Sequence, residues 1–188
     1  MSVSGASFRS TAEVQRGRIT TVAIEVFART GYHATPVAEV AGTAGVSPAY
    51  VFRLFDSKVG LFVAAVESTY ARVAETMTAA GSHPRLTDSQ SRLDAMTVAY
   101  VALIEDKDLI MMQAHAQSAS SIPEIREAVQ KGLGEVVRAV GVISGAPPES
   151  VQRFIAYGQL CHLIVQADIS SVRSSWAEAL TAGIKHTA

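Results

Sequence analysis

The chain predicts an all-α fold, and three observations carry that prediction. Apolar residues recur at helical spacing along almost the whole length, no stretch alternates with period two for long enough to make a strand, and the breaks fall at glycine, proline and cap residues. About nine helices follow from the pattern.

Residues 1–11 are small and polar with no period, and read as a flexible arm. Between Ala12 and Thr30, Ile19, Val22, Ala23, Val26 and Phe27 form one helical face, and Gly31 sits where a left-handed residue ends a helix at little cost. Thr35-Pro36 supplies an N-cap and a first-turn proline for a short second helix carrying Val37, Val40, Ala41 and Ala44, which Gly45 stops. Ser47-Pro48 opens a third by the same logic, with Val51, Leu54 and Phe55 inward. Asp56 or Ser57 can cap a long fourth helix, with the stripe Leu61, Phe62, Ala65, Val66, Thr69, Val73 and Met77, ending at Gly81 to Pro84. Thr87-x-x-Gln90 and Ser121-x-x-Glu124 read as capping boxes. The first opens a segment with Leu93, Met96, Val98, Val101, Leu103 and Ile104, which the acidic turn 105–108 separates from Leu109 to Ser118. The second opens a helix to about Ile143, and after the break 144–148 the last two helices cover Val151 to Val165 and Ser171 to Ile184.

At 188 residues the chain accommodates one ordinary domain or two small ones. Hydrophobic residues make up 48% and charged residues 18%, which excludes a disordered chain and favours apolar surface shared with another subunit. Cys161 is the single cysteine, so no intrachain disulfide forms and a reducing compartment suits the chain. With no secretory-type apolar run at the start and no window near the ~18 apolar residues of a membrane span, the expectation is a soluble cytoplasmic protein with no membrane partner. Gly132-Leu133-Gly134 is half a dinucleotide fingerprint with no strand before it, and reads as helix. The five histidines and Cys161 lack metal-ligand spacing, and no nucleophile elbow, kinase or P-loop pattern occurs. Neither an enzyme, a cofactor nor a metal is therefore expected.

The formal charge of −1 hides an asymmetry: residues 1–60 carry six basic and four acidic groups, and the remainder is net acidic. The informative stretch is Thr35 to Phe55. Two short helices joined by Gly45-Val46-Ser47 need a third across them, which residues 12–30 supply. That is helix-turn-helix geometry, with the second short helix placed to enter a major groove. A plain helical hairpin shares the spacing. The outward residues separate the two readings: Ser47, Pro48, Ala49, Tyr50 and Arg53 include no acid, the small ones let the backbone approach a groove, and Tyr50 and Arg53 reach phosphates or base edges. The helix starts at Thr35-Pro36 and Ser57-Lys58 add backbone N–H groups of the kind that hold phosphates.

Arg18-Ile19, Ala23, Phe27, Gly31-Tyr32, Thr35, Val40-Ala41, Ala44 to Ser47, Phe52, Phe55 and Ser57-Lys58 together resemble the amino-terminal signature of TetR-family transcriptional regulators. The resemblance runs from about residue 16 to 61, and beyond it the chain is similar only in being helical and of suitable length. It implies a flexible arm over 1–11, a DNA-binding domain over 12–56 and a ligand-binding and dimerisation domain over 57–188. It further implies a homodimer on double-stranded DNA with an inverted-repeat operator, acting as a repressor that a small apolar or amphipathic ligand releases. By position, Thr35 and Lys58 correspond to phosphate contacts, Ser47, Pro48, Ala49 and Tyr50 to residues that read or approach bases, and Thr43 to an additional contact. Phe52 lacks a hydroxyl for a phosphate, so Tyr50 supplies that bond, and Asp56 replaces a common proline. The fourth helix, ~35 Å long at 1.5 Å per residue, links both domains without a flexible linker, so its tilt couples ligand to DNA.

The stretch from Phe154 to Val165 is apolar nearly all round, as a helix is that packs on its own core with one face and on a partner with the other. With the family's dimer bundle in the last two long helices, the expected interface is Phe154, Tyr157, Gly158, Cys161, Ile164, Trp176 and Leu180, and intrachain core is the alternative. For the ligand pocket, adaptable methionines and switchable histidines select Tyr100, Leu103, Met111, Met112, His115, Phe154 and His162. Two other functions stay open: an all-α small-molecule-binding protein or enzyme with a vestigial helix-turn-helix, and a DNA-binding regulator controlled by a protein partner.

Overall fold

A computed structural model describes the backbone of residues 4–182 and the side chains of residues 12–182. The described residues form nine α-helices and one 3₁₀ turn, with no strand among them. In chain order these are α1 (Ser4–Ala34), α2 (Val37–Thr43), α3 (Pro48–Phe55), α4 (Lys58–Gly81), α5 (Ser89–Leu103), α6 (Lys107–Ser118), α7 (Pro123–Ser144), α8 (Pro148–Gln166), the 3₁₀ turn Ile169–Ser171 and α9 (Ser175–Thr181). None of the described helices is long and apolar enough to cross a membrane.

Two compact units emerge, one made of residues 1–69 with 111–130 and the other of 70–110 with 131–188. This division differs from the expected one at residue 56: the boundary falls inside α4, α6 and α7, and the first unit takes in most of α6. The physical reason is local. At Gly31, α1 kinks with φ +76, and a Cβ there would lie 2.7 Å from Nδ1 of His115 on α6. Glycine is required twice over, for its positive φ and for the approach of the imidazole. Within this unit Ile19, Ala23, Val26 and Phe27 of α1 are buried with Val40 and Ala41 of α2, Val51 and Phe55 of α3, and Leu61 and Phe62 of α4. The Phe27 and Phe62 rings meet edge to face at 4.8 Å, and Tyr32 adds a second edge contact to Phe62 at 5.1 Å.

In the second unit, Tyr70 fills the space that Gly132 of α7 leaves open, because a Cβ at 132 would fall 2.5 Å from the ring. Arg72 and Asp106 form an ion pair at 2.8 Å, and Asp106 also accepts from the amide of Asp108 in the first turn of α6. Ile104, Ile110 and Cys161 form one buried cluster, with Tyr100, Tyr157 and Val165 against it. Ile164, Ile169 and Ala177 form another, flanked by Leu160 and Leu180.

Several local expectations are corrected. Residues 4–11 are helical and extend α1 rather than forming an arm, while residues 1–3 lie outside the described residues. The box that opens α5 is Asp88 with Ser91, not Thr87 with Gln90: Asp88 accepts the Ser91 amide at 2.9 Å, and its carboxyl is held below the usual value by the Ser91 backbone and hydroxyl. Helix α7 begins at Pro123, where proline's fixed φ suits a first turn. The stretch expected as one helix from Ser171 is the end of a 3₁₀ turn, a bend and the shorter α9, because Val172 and Ser174 take extended backbone. Residues 183 and 184 of that expectation lie outside the described residues. Val98, read into the α5 stripe, is 71% exposed.

Candidate nucleic-acid interface

The turn between α2 and α3 closes as its glycine demands. Gly45 has φ +66, the Val46 amide donates to Ala41 O at 2.9 Å, and nothing lies near the missing Cβ, so conformation alone requires glycine there. Ser47 then caps α3, its hydroxyl accepting the Tyr50 amide at 3.2 Å, with Pro48 at the first helical position. The apolar face of α3, Val51 and Phe55, is buried, while Ser47, Pro48, Ala49, Phe52 and Arg53 are exposed and Tyr50 is half-buried. No acid occupies the first turn.

Two further contacts lock this helix in place. The guanidinium of Arg16 donates to the carbonyl of Leu54 and lies over the Phe55 ring at 4.3 Å. That of Arg53 lies over the Tyr50 ring at 4.7 Å, so the two long side chains of the exposed face form one stacked, cationic platform. At the far end, Asp56 adopts φ 62 and ψ −36 while the Ser57 amide donates to Phe55 O at 2.7 Å, a γ-turn that reverses the chain into α4. Ser57 is the cap of α4, accepting the Gly60 amide at 3.0 Å, so of the two cap candidates it is Ser57 that serves.

The expected contact residues divide on burial. Thr43, Ser47, Pro48, Ala49 and Arg53 are exposed, with Tyr50 and Lys58 half-buried. Lys58 Nζ donates to His33 O at 3.3 Å and lies over the Tyr32 ring at 4.8 Å, which leaves further N–H donors of its ammonium for an anion. Thr35 is different. It is fully buried, its hydroxyl donates to Gly31 O at 2.7 Å and meets Thr30, and the N-cap position of α2 is Pro36. Thr35 thus repairs the carbonyl freed by the Gly31 kink, and its side chain is no phosphate contact. Sequence reasoning missed Arg16 as the clamp on α3; the signal available was its position one turn before Ile19, on the edge of the buried face. Phe52, 44% exposed beside Arg53, is a candidate apolar contact to a base.

A cavity of about 430 Å³ lies in the second unit between α5 and α8. Of the expected pocket residues it includes Tyr100 and Phe154. Met111, Met112 and His115 belong to the first unit, where Met112 is fully buried core and Met111 is half-buried. Leu103 is half-buried outside the cavity lining, and His162 sits behind it, buried, sharing a hydrogen bond with the Tyr100 phenol and stacked on its ring at 5.9 Å. Sequence reasoning missed the polar lining of Gln90, Asp94, Thr97, Ser150 and Arg153.

Burial lowers the His162 pKa from 6.5 to about 4, so the imidazole is neutral near pH 7. Because the unfolded chain takes up that proton first, stability is full above the unfolded value of 6.5 and is lost as the pH falls toward 4. The shift corresponds to roughly 3 kcal/mol at 1.36 kcal/mol per unit. Denaturant unfolding at about pH 7.5 and pH 4.5 should show this loss in the parent and a shallower slope in His162→Gln; equal slopes would contradict the buried neutral imidazole.

The expected interface residues also divide. Cys161 and Ile164 are buried in the intrachain clusters, and burial pushes the Cys161 thiol pKa up, so both belong to core rather than to a partner surface. Gly158 faces the Tyr100 ring, where an added Cβ would make an ordinary contact at 3.4 Å, so this packing does not itself demand glycine. Phe154, Tyr157 and Leu180 are half-buried, and Trp176 stays 54% exposed; Leu163, at 50%, joins it as an exposed apolar residue that the expected set omitted.

An exposed, acid-free, capped helix held by two others across a glycine turn has the arrangement of a helix-turn-helix. Residues 19–65 match the model described as bacterial regulatory proteins, tetR family. The likeness to the tetR family is carried by this amino-terminal segment, about a quarter of the chain. It is 33% identical over 91 residues to the HTH-type transcriptional activator FasR of Mycolicibacterium smegmatis, a match that spans 48% of this chain and 41% of that protein's length. Its fold is similar to the fatty acid degradation regulator FadR of Bacillus halodurans, with a TM-score of 0.68 at 16% identity over 90% of this chain and 99% of that one. The FadR of Bacillus subtilis, solved in complex with stearoyl-CoA, gives a TM-score of 0.67 at 20% identity, covering 89% of this chain and 98% of that one.

Proposed function

We propose that the chain is a DNA-binding transcriptional regulator that acts as a homodimer on an inverted-repeat operator and represses until a small molecule in the second unit releases it. The single observation that carries the DNA reading is the exposed face of α3, with Ala49, Phe52 and Arg53 open to solvent and no carboxylate in its first turn. Thr43, Ser47, Pro48, Ala49, Tyr50 and Arg53 are the proposed base and phosphate contacts, with Lys58 on a phosphate. The exposed Leu163, Trp176 and Val142 support burial against a second copy, and the cavity between α5 and α8 supports a small-molecule effector over a protein one. The acyl-CoA bound by the B. subtilis FadR also favours a small-molecule effector. A cytoplasmic location fits that role.

Selection of bound duplexes from a random pool tests the reading. Enrichment of an inverted repeat with half-sites about 34–36 Å apart or a multiple of that is expected, with affinity falling steeply as salt is added. Tyr50→Ala should weaken operator binding about tenfold, because it removes one contact and the stacking surface that orders Arg53. No enrichment over random DNA would remove the regulator reading in favour of a small-molecule-binding protein on the same scaffold. A reporter gene under the enriched site then separates repression from the activation named for the FasR relative.

A further inference from the structure

The two helices that line the cavity run in the same direction. Arg92 in the first turn of α5 donates to Ile143 O at 2.7 Å, just before the loop that opens α8, while Tyr100 in the last turn of α5 meets Gly158 and His162 in the later turns of α8. The first two turns of both helices therefore share one end of the cavity, and the later turns share the other.

Those ends differ in chemistry. At the first lie Asp94 and Arg153, opposite charges on the same cavity that form no ion pair with each other within 4.0 Å among the described residues. Each is steadied by a neighbour on its own helix: Asp94 Oδ1 accepts from Gln90 Nε2 at 2.8 Å, and Arg153 Nη2 donates to Ser150 Oγ at 3.3 Å. At the other end the lining is aromatic, with Tyr100 and Tyr157 and with Phe154 between the two. The Tyr100 hydroxyl is engaged by buried His162 and its ring packs on Gly158, so it presents a wall rather than a free polar group.

We propose that this cavity binds an aromatic zwitterion of the amino-acid type, with its carboxylate on Arg153, its ammonium on Asp94 and its ring among Tyr100, Phe154 and Tyr157. The inference rests on reading the second unit as an effector-binding domain, and names the effector's class. An uncharged apolar chain would cover Asp94 and Arg153 without satisfying either, which costs free energy that a zwitterion returns as two charge-assisted hydrogen bonds. A ring among three aromatic side chains gains edge and face contacts that an alkyl chain lacks. At about 430 Å³ the cavity is near the low end of the range for small-ligand sites, ~300–1,000 Å³, and suits one ring system with a short polar arm.

Titration calorimetry on the full chain, without DNA, tests this with L-phenylalanine, L-tyrosine and L-tryptophan, and with 3-phenylpropionate, phenethylamine and decanoate as comparators. At least one of the amino acids should bind ten times or more tightly than 3-phenylpropionate, phenethylamine and decanoate. Arg153→Ala should abolish the preference for that amino acid over its decarboxylated amine, and Asp94→Asn the preference over its deaminated acid. Both side chains are exposed, and thermal melts matching the parent check that each variant folds. Tighter binding of decanoate, no binding of the three amino acids, or preferences untouched by both substitutions would each overturn the proposal. Because binding is read without DNA, a chain that binds the amino acid and ignores every duplex would sink the regulator reading and leave this one standing. An operator-binding chain indifferent to the amino acids would do the reverse.

Discussion

An Ala49→Glu variant should lose operator binding by about 100-fold while melting at the parent's temperature. Ala49 is exposed in the first turn of α3, two residues past the Ser47 cap. A glutamate there lies at the positive end of the helix dipole, which favours it by a few tenths of a kcal/mol, so the helix itself is not weakened. Against DNA the same carboxylate faces phosphates across a groove, and like charges at an interface cost several kcal/mol. A 100-fold loss corresponds to ~2.7 kcal/mol, well inside that range. Ala49→Gln has nearly the same size without the charge, so it should recover at least tenfold of the loss; the difference between the two variants should shrink as salt screens the repulsion. Gel-shift titrations of all three proteins at two salt concentrations measure both effects. A glutamate variant within threefold of the parent would show that α3 does not face the duplex.

The parts of this face that were legible in the sequence are those fixed by local backbone chemistry. Gly45 and Ser47-Pro48 carry their signals within four residues, and both elements form as those signals predict. Thr35-Pro36 carries an identical signal and folds differently, because the deciding partner is the Gly31 carbonyl exposed by a kink one turn earlier; a competing acceptor is invisible to a cap pattern. The buried stripes of α1 through α4 follow from period alone, since each helix there has one apolar face. The cavity does not. Gln90, Asp94 and Arg153 look like solvated surface on their own helices, and only the parallel approach of α5 and α8, separated by some 50 residues of chain, turns them into a lining. Met111 and Met112 lie outside that lining: they sit on α6, and the long-range packing of α6 decides to which unit they belong. Cys161 and Ile164 read as partner-facing in sequence because α8 is apolar on several faces, and periodicity cannot say which face meets its own chain.

Gly60→Ala should destabilise the protein by about 3 kcal/mol, near the upper part of the usual overpacking range, and Gly17→Ala should stabilise it by about 0.5–1 kcal/mol. The two substitutions are chemically identical and both lie in helices, so propensity alone predicts the same gain for each. Space separates them. Nothing lies within 4 Å of a Cβ at Gly17, whereas one at Gly60 would stand 2.2 Å from the carbonyl oxygen of Phe55. That oxygen cannot swing aside cheaply: it accepts the Ser57 amide at 2.7 Å across the γ-turn at Asp56, and the ring of Phe55 is buried under the Arg16 guanidinium. The added methyl must therefore open the corner between α3 and α4, and with it the contacts that hold the exposed face of α3 at its angle. Thermal melts should fall by roughly 6–12 °C for Gly60→Ala and rise by a few degrees for Gly17→Ala, at ~2–4 °C per kcal/mol. Operator binding measured well below the melt should fall for Gly60→Ala alone, because the corner positions α3 as well as stabilising it. A Gly60→Ala protein as stable as the parent would mean that the corner relaxes without strain, and the rigid seating of the recognition helix would then have to come from Arg16 alone.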